Sequence, residues 1–193
     1  MLHVKSLLVP VELNKKILIG AVGYHNLSNH SVGQVLLPNL KEMDWHDGID
    51  IEEMNWGPIA IVQQFQAMSE PYARVVLLTA IEHKSRKIGD ITLHRWVGGL
   101  PDEGQIQACI GDAVTGVISP ENLLIIGEYF KIWPKEVYIV DVEPGREKSG
   151  LALTKAVAQK VPDILSLVHR ISLNGASKLD KLNFLTGNTL IAN

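Results

Sequence analysis

Cysteine is almost missing from this sequence: Cys109 stands alone. One thiol excludes an internal disulfide framework and any multi-thiolate zinc or iron–sulfur centre, and it fits a reducing, cytoplasmic setting. Basic charge is not in excess either. Eighteen Lys and Arg against 21 Asp and Glu leave a formal charge of −3, so the electrostatic footprint of a nucleic-acid binder is missing. No uninterrupted apolar run reaches the roughly 18 to 20 residues that a membrane helix needs. The first ten residues hold one lysine and a short apolar patch at 7–9, without the small-residue cleavage signal of an export leader. Nucleic acid and membrane are therefore not expected as partners. No phosphate loop or dinucleotide fingerprint occurs, since Gly-Ala-Val-Gly at 20–23 lacks both the spacing and an immediate helix start, and no nucleotide cofactor is expected. No Gly-x-Ser-x-Gly elbow surrounds Ser28 or Ser31, which argues against a serine hydrolase.

The chain does have the apolar mass for a core. With 193 residues, 46% of them hydrophobic, it is expected to form a single domain over 1–193. Near-continuous apolar runs bounded by charge and glycine read as buried strands at 17–22, 73–81 and 137–142, with a further strand at 48–53 and an edge strand at 90–97. Helical spacing of Val32, Val35, Leu36 and Leu40 predicts a helix over 31–43, and Gly57-Pro58 opens another. Ser119-Pro120-Glu121 supplies an N-cap, a proline at the first helical position and an acid in the first turn, and that helix runs to the stop at Trp133-Pro134. A long helical segment over 149–171 is expected to be kinked or divided by Pro162. Strands alternating with helices predict an α/β fold, a three-layer α/β/α sandwich on a mostly parallel sheet. Ligands of such sheets sit at the C-terminal strand ends, near a change of strand order.

That rule draws attention to the loop over 23–33, which places His25, Asn26, Asn29 and His30 straight after a buried strand. Two neutral imidazoles there suit a transition metal, with Glu52 or Glu53 from the next strand end as carboxylate partner. Equally, Asn and His at such a place cap the first helix and satisfy loop backbone. His83 opens a basic loop at the end of the third strand, read either as a solvated turn or as a surface for an acidic partner. Cys109, between Ala108 and Ile110, reads as a core residue.

With these residues in view, the order of segments over 16–171 resembles the hydrogenase maturation endopeptidases, the nickel-directed proteases that trim a C-terminal tail from the large subunit of NiFe hydrogenase. The run 17–23 is similar to the family's opening strand, 24–33 to its first loop and 52–57 to its second turn. The start at 119–124, the Trp133-Pro134 strand entry and the helix over 150–168 follow in the same order. The resemblance implies a phosphorylase/hydrolase-like α/β core, with 172–193 as a C-terminal extension. It implies two metal-ligand positions, His30 and Glu52, around nickel held in the substrate or around zinc. Asn29 occupies the acid position just before His30, Glu53 is adjacent to Glu52, and the family's histidine position falls near Thr115. His25, Asn29, Glu53, Thr115 and His83 are the further cleft residues. The implied activity is divergent maturation proteolysis on a hydrogenase large subunit. The alternative is a catalytically degenerate assembly protein that holds that subunit, or another metalloenzyme subunit, in the same cleft without cutting it. With two ligands, the isolated chain is expected to bind nickel or zinc weakly and to show little or no endopeptidase activity without its partner.

Overall fold

A computed structural model describes residues 15–83, 85–176 and 181–191. The expectation about the first ten residues, and Lys84 of the basic loop, lie outside them. The strands are β1 (Ile17–Ala21), β2 (Ile49–Glu53), β3 (Arg74–Ala80), β4 (Ile91–Trp96), β5 (Glu136–Val142) and β6 (Leu182–Leu185). The helices are α1 (Val32–Glu42), α2 (Pro58–Ala67), α3 (Glu103–Val114), α4 (Pro120–Tyr129), α5 (Lys155–Ala158), α6 (Val161–Asn174) and α7 (Gly187–Ile191).

The six strands form one sheet in the order β2-β1-β3-β5-β4-β6. The first four are parallel; β4 runs antiparallel to β5, and β6 parallel to β4. Every residue of β1 is buried, as its unbroken apolar run requires. Alternate residues face opposite layers. Leu18, Leu77 and Ile139 pack with α4 on one side, and Ile19, Val76 and Val140 with α1 and α6 on the other. Gly33 lets α1 lie close on the sheet: a Cβ there would stand 2.8 Å from the Leu78 carbonyl oxygen. The predicted three-layer α/β architecture on a mostly parallel sheet is the one observed.

Three elements differ from expectation. β4 is not an edge strand, because β6 from the C-terminal extension pairs with it, and Leu185 and Leu190 of that extension enter the core. The stretch 149–154 is not helical, and the helix over 149–171 divides into α5 and α6 with Pro162 in the first turn of α6, the position where a missing N–H costs nothing. An additional helix, α3, starts where Asp102 accepts a hydrogen bond from the Gln105 amide at 3.0 Å. Ala113 is its one buried residue, so it lacks the apolar stripe by which a helix is read. Cys109 on α3 is half-buried and packs against two core clusters, and desolvation, then Asp112 and Glu121, push its thiol pKa up.

Candidate functional site

The strand order changes direction at β1, whose chain continues to β2 on one side while β3 lies on the other. The connections after β1 and β3 therefore leave in opposite directions, and their separation opens a crevice. A cleft of about 340 Å³ lies there, lined by Gly23, Tyr24 and His30 after β1, Thr79 and Glu82 at the end of β3, Ser119 and Glu121 at the start of α4, and Glu147 after β5.

The β1–α1 connection is tied on several sides. Gly23 has φ +138, a backbone that side chains rarely adopt, and its carbonyl accepts from Gln34 Nε2 at 2.8 Å. A 3-10 turn, Ser28–Ser31, follows. Asn29 is buried and donates to the Pro144 carbonyl at 2.8 Å while its Oδ1 accepts from the Thr154 amide at 2.8 Å. Ser28 donates to the Ala152 carbonyl at 2.9 Å. Asn29 thus spends its polar atoms on backbone, and the rigid turn presents His30 to the cleft. Across it, the Tyr24 hydroxyl accepts from the Ile118 amide at 2.7 Å, which fixes the approach to α4. Ser119 then caps that helix, its Oγ accepting from the Asn122 amide at 3.0 Å, and the first turn carries Glu121 to the cleft floor. Desolvation by burial is the largest influence on Glu121 and raises its pKa. Hydrogen bonds from its own backbone and from Ser119 oppose this, Asp141 reinforces it and His83 lowers it slightly.

His30 and Glu52 or Glu53 do not line this depression together. β2 is the outer neighbour of β1, on the side away from β3. Glu52 is exposed there, and Glu53 accepts from His25 and from Asn55 at 2.7 Å. His25 and Glu53 thus form a separate surface pair. Thr115 ends α3, where its Oγ1 donates to the Asp112 carbonyl at 2.8 Å, so its hydroxyl serves the helix end. His83 lies behind the cleft, in the wall of a smaller chamber that shares Ile81, Glu82 and Glu121 with it.

Thr79 and Glu121, 42 residues apart by number, were not singled out in the sequence as site residues; only the sheet brings them together. The signals available were Thr79 at a strand's end and Glu121 two residues past a helix cap. Among the described residues no three His, Cys, Asp or Glu side chains are grouped to hold a metal ion. The donor set does not fit a resident nickel or zinc, so no chemistry is routed through one. Among the described residues, too, no helix is long and apolar enough to cross a membrane.

No protein-family model matches the sequence, and no curated protein does. Solved structures do match. Hydrogenase maturating endopeptidase HybD from E. coli aligns with TM-score 0.60 and 19% identity over 79% of this chain and 89% of that one. NiFe hydrogenase maturation protease HycI from Thermococcus kodakarensis KOD1 aligns with TM-score 0.58 and 17% identity over 83% and 94%. Hydrogenase 2 maturation peptidase from Thaumarchaeota archaeon SCGC_AB-539-E09 aligns with TM-score 0.55 and 19% identity over 84% and 100%. The chain has the α/β fold of the hydrogenase maturation endopeptidases, and at these identities the likeness is one of fold.

Proposed function

We propose that this protein is a divergent hydrogenase maturation protease-like hydrolase that takes the C-terminal tail of a NiFe hydrogenase large subunit into the cleft between β1 and β3. The observation that supports the reading is the convergence of His30, Thr79 and Glu121 at the point where the strand order reverses. That is where open α/β sheets place their chemistry. In this reading nickel arrives with the substrate, and the His30 imidazole is the side chain set to meet it. Glu121, whose burial favours the protonated form, handles the proton that peptide hydrolysis must move. Glu82 and Glu147 make the cleft acidic, which suits a cationic segment or a metal-bearing one.

A second reading, a non-cutting assembly protein, is favoured by one observation: the described side chains do not group into a metal site of their own. The test mixes the protein with nickel-loaded hydrogenase large-subunit precursor and follows the precursor by intact-mass measurement. The hydrolase reading expects loss of the tail with the parent and its retention with His30→Ala combined with Glu121→Gln. A stable complex with an intact tail supports the assembly reading, and no complex with no cleavage contradicts both.

A further inference from the structure

Behind Glu121, on the same face of the sheet, lies a buried polar cluster that neither reading uses. Asp141 of β5 is the ladder partner of Thr79 on one side and of Thr92 on the other, and it is fully buried. Its Oδ1 accepts from the Ile81 amide at 2.9 Å. Its Oδ2 faces Arg86 Nη1 at 2.9 Å, His83 Nε2 at 3.3 Å and His94 Nε2 at 3.4 Å. Arg86 also meets Glu143 through Nε at 3.3 Å, and Glu143, likewise buried, accepts from the amides of His83 and Gly145.

One guanidinium therefore serves two buried carboxyl groups. Buried charge is costly unless it is balanced, and the groups placed to balance it are the two imidazoles. His83 Nε2 and both ring nitrogens of His94 make no hydrogen bond among the described residues, although His94 is 7% exposed. His83 and His94 line a largely enclosed chamber of about 70 Å³, which shares Glu121, Glu82 and Ile81 with the cleft and is closed by Leu185 and Leu190. Unpartnered polar atoms around a space of that size are the setting in which buried water is held.

The geometry points to Glu121 as the proton-exchanging group of the cleft, and to His83 and His94, held at Asp141, as the site that takes up its proton through water in this chamber. In the forward step the O–H bond of the Glu121 carboxyl breaks and an N–H bond forms on one imidazole. Glu121 is left as a carboxylate, and the imidazolium balances the charge of Asp141. The reverse step restores both groups, and no electrons are exchanged. Three further groups set the balance: Glu82 and Glu147 share the cleft with Glu121, and so does His30. Use of this proton on a scissile peptide rests on the hydrolytic reading; the coupling of Glu121 to the imidazoles does not.

The test is therefore made without substrate. Glutamate carrying carbon-13 at its carboxyl gives a signal for Glu121, assigned by its disappearance in Glu121→Gln, and its midpoint is followed with pH. Removing both proton acceptors in His83→Gln with His94→Gln is expected to move that midpoint upward by about half a pH unit or more. A midpoint unchanged in a variant that still melts cooperatively overturns the assignment. If that variant does not fold, the parent decides: nitrogen-15 signals of His83 and His94 should show an inflection at the Glu121 midpoint. Its absence from both rings overturns the proposal. A failure of tail cleavage leaves either result intact, so the two claims fail separately.

Discussion

Arg86 shows what a single residue can hold in place. Its guanidinium spans Asp141 and Glu143, donates to the Thr92 hydroxyl at 2.7 Å and to the Ile81 carbonyl at 2.8 Å. Arg86→Met should strip the counter-ion from two buried carboxylates and cost about 3–5 kcal/mol, the range for breaking one side of a buried ion pair. Urea unfolding reads this directly, and a loss below about 1 kcal/mol would mean that the carboxylates are balanced by something else. Glu121 makes a prediction with a definite sign. Its folded-state pKa lies above the ordinary 4.5, so its contribution to stability is full below that value and is lost as pH rises through the folded value. Glu121→Gln has no such loss. The melting temperature of the variant minus that of the parent should widen as pH climbs above 4.5 through the raised folded-state value and then level off; a constant gap contradicts the shift. At this scale the sequence was partly legible. His30 was visible because it follows a buried strand. Asp141 carried a signal that went unused, since a carboxylate inside the run Val-Tyr-Ile-Val-Asp-Val has to find a partner. That the partners are His83, His94 and Arg86 depends on pairing across strands, which one sequence does not display.

The elements with strong periodicity or sharp boundaries were the readable ones. β1, β3 and β5 are buried on both faces and were recognisable as unbroken apolar runs, and α4 announced itself by Ser119, Pro120 and Glu121. What stayed hidden was short or half-exposed. α3 buries one side of its last turn, β6 has four residues, and α7 has five. These small pieces matter nonetheless: β6 covers β4, which would otherwise present an unpaired edge, and Leu185 is 5% exposed in the core. Leu185→Asp should place an unpaired charge there and cost several kcal/mol, on the order of 3. A parent-like melt would show that β6 is peripheral to stability. Cap and cleft meet in Ser119. Its replacement by Ala removes the acceptor for the Asn122 amide and should cost about 1 kcal/mol, with an effect on tail processing if α4 positions Glu121. An unaltered stability would contradict the cap seen at 3.0 Å.

For the whole molecule, topology decides which side chains meet. Strand order 2-1-3 makes a crevice between β1 and β3, and His30, Thr79 and Glu121 share it, while Glu52 stands at the end of β2, paired with β1 on its other side, and is not in the lining. Adjacent strand ends suggested a His30–Glu52 site; the first loop does reach the end of β2, but through His25 and Glu53, while His30 lines the crevice on the β3 side. The fold was legible because alternation of buried strands and amphipathic helices constrains architecture tightly, and the site was legible only to the level of the first loop, because strand order decides which loops face one another. The central claim is that a hydrogenase large-subunit tail is received in this crevice. Amide hydrogen exchange, measured on the protein alone and with nickel-loaded large-subunit precursor, tests it most directly. The account predicts slower exchange confined to the amides at 24–31 and, Pro120 having none, at 118, 119, 121 and 122, on the two walls of the cleft. Protection elsewhere, such as along β6 and α7, with 24–31 and 118–122 unchanged, would contradict it.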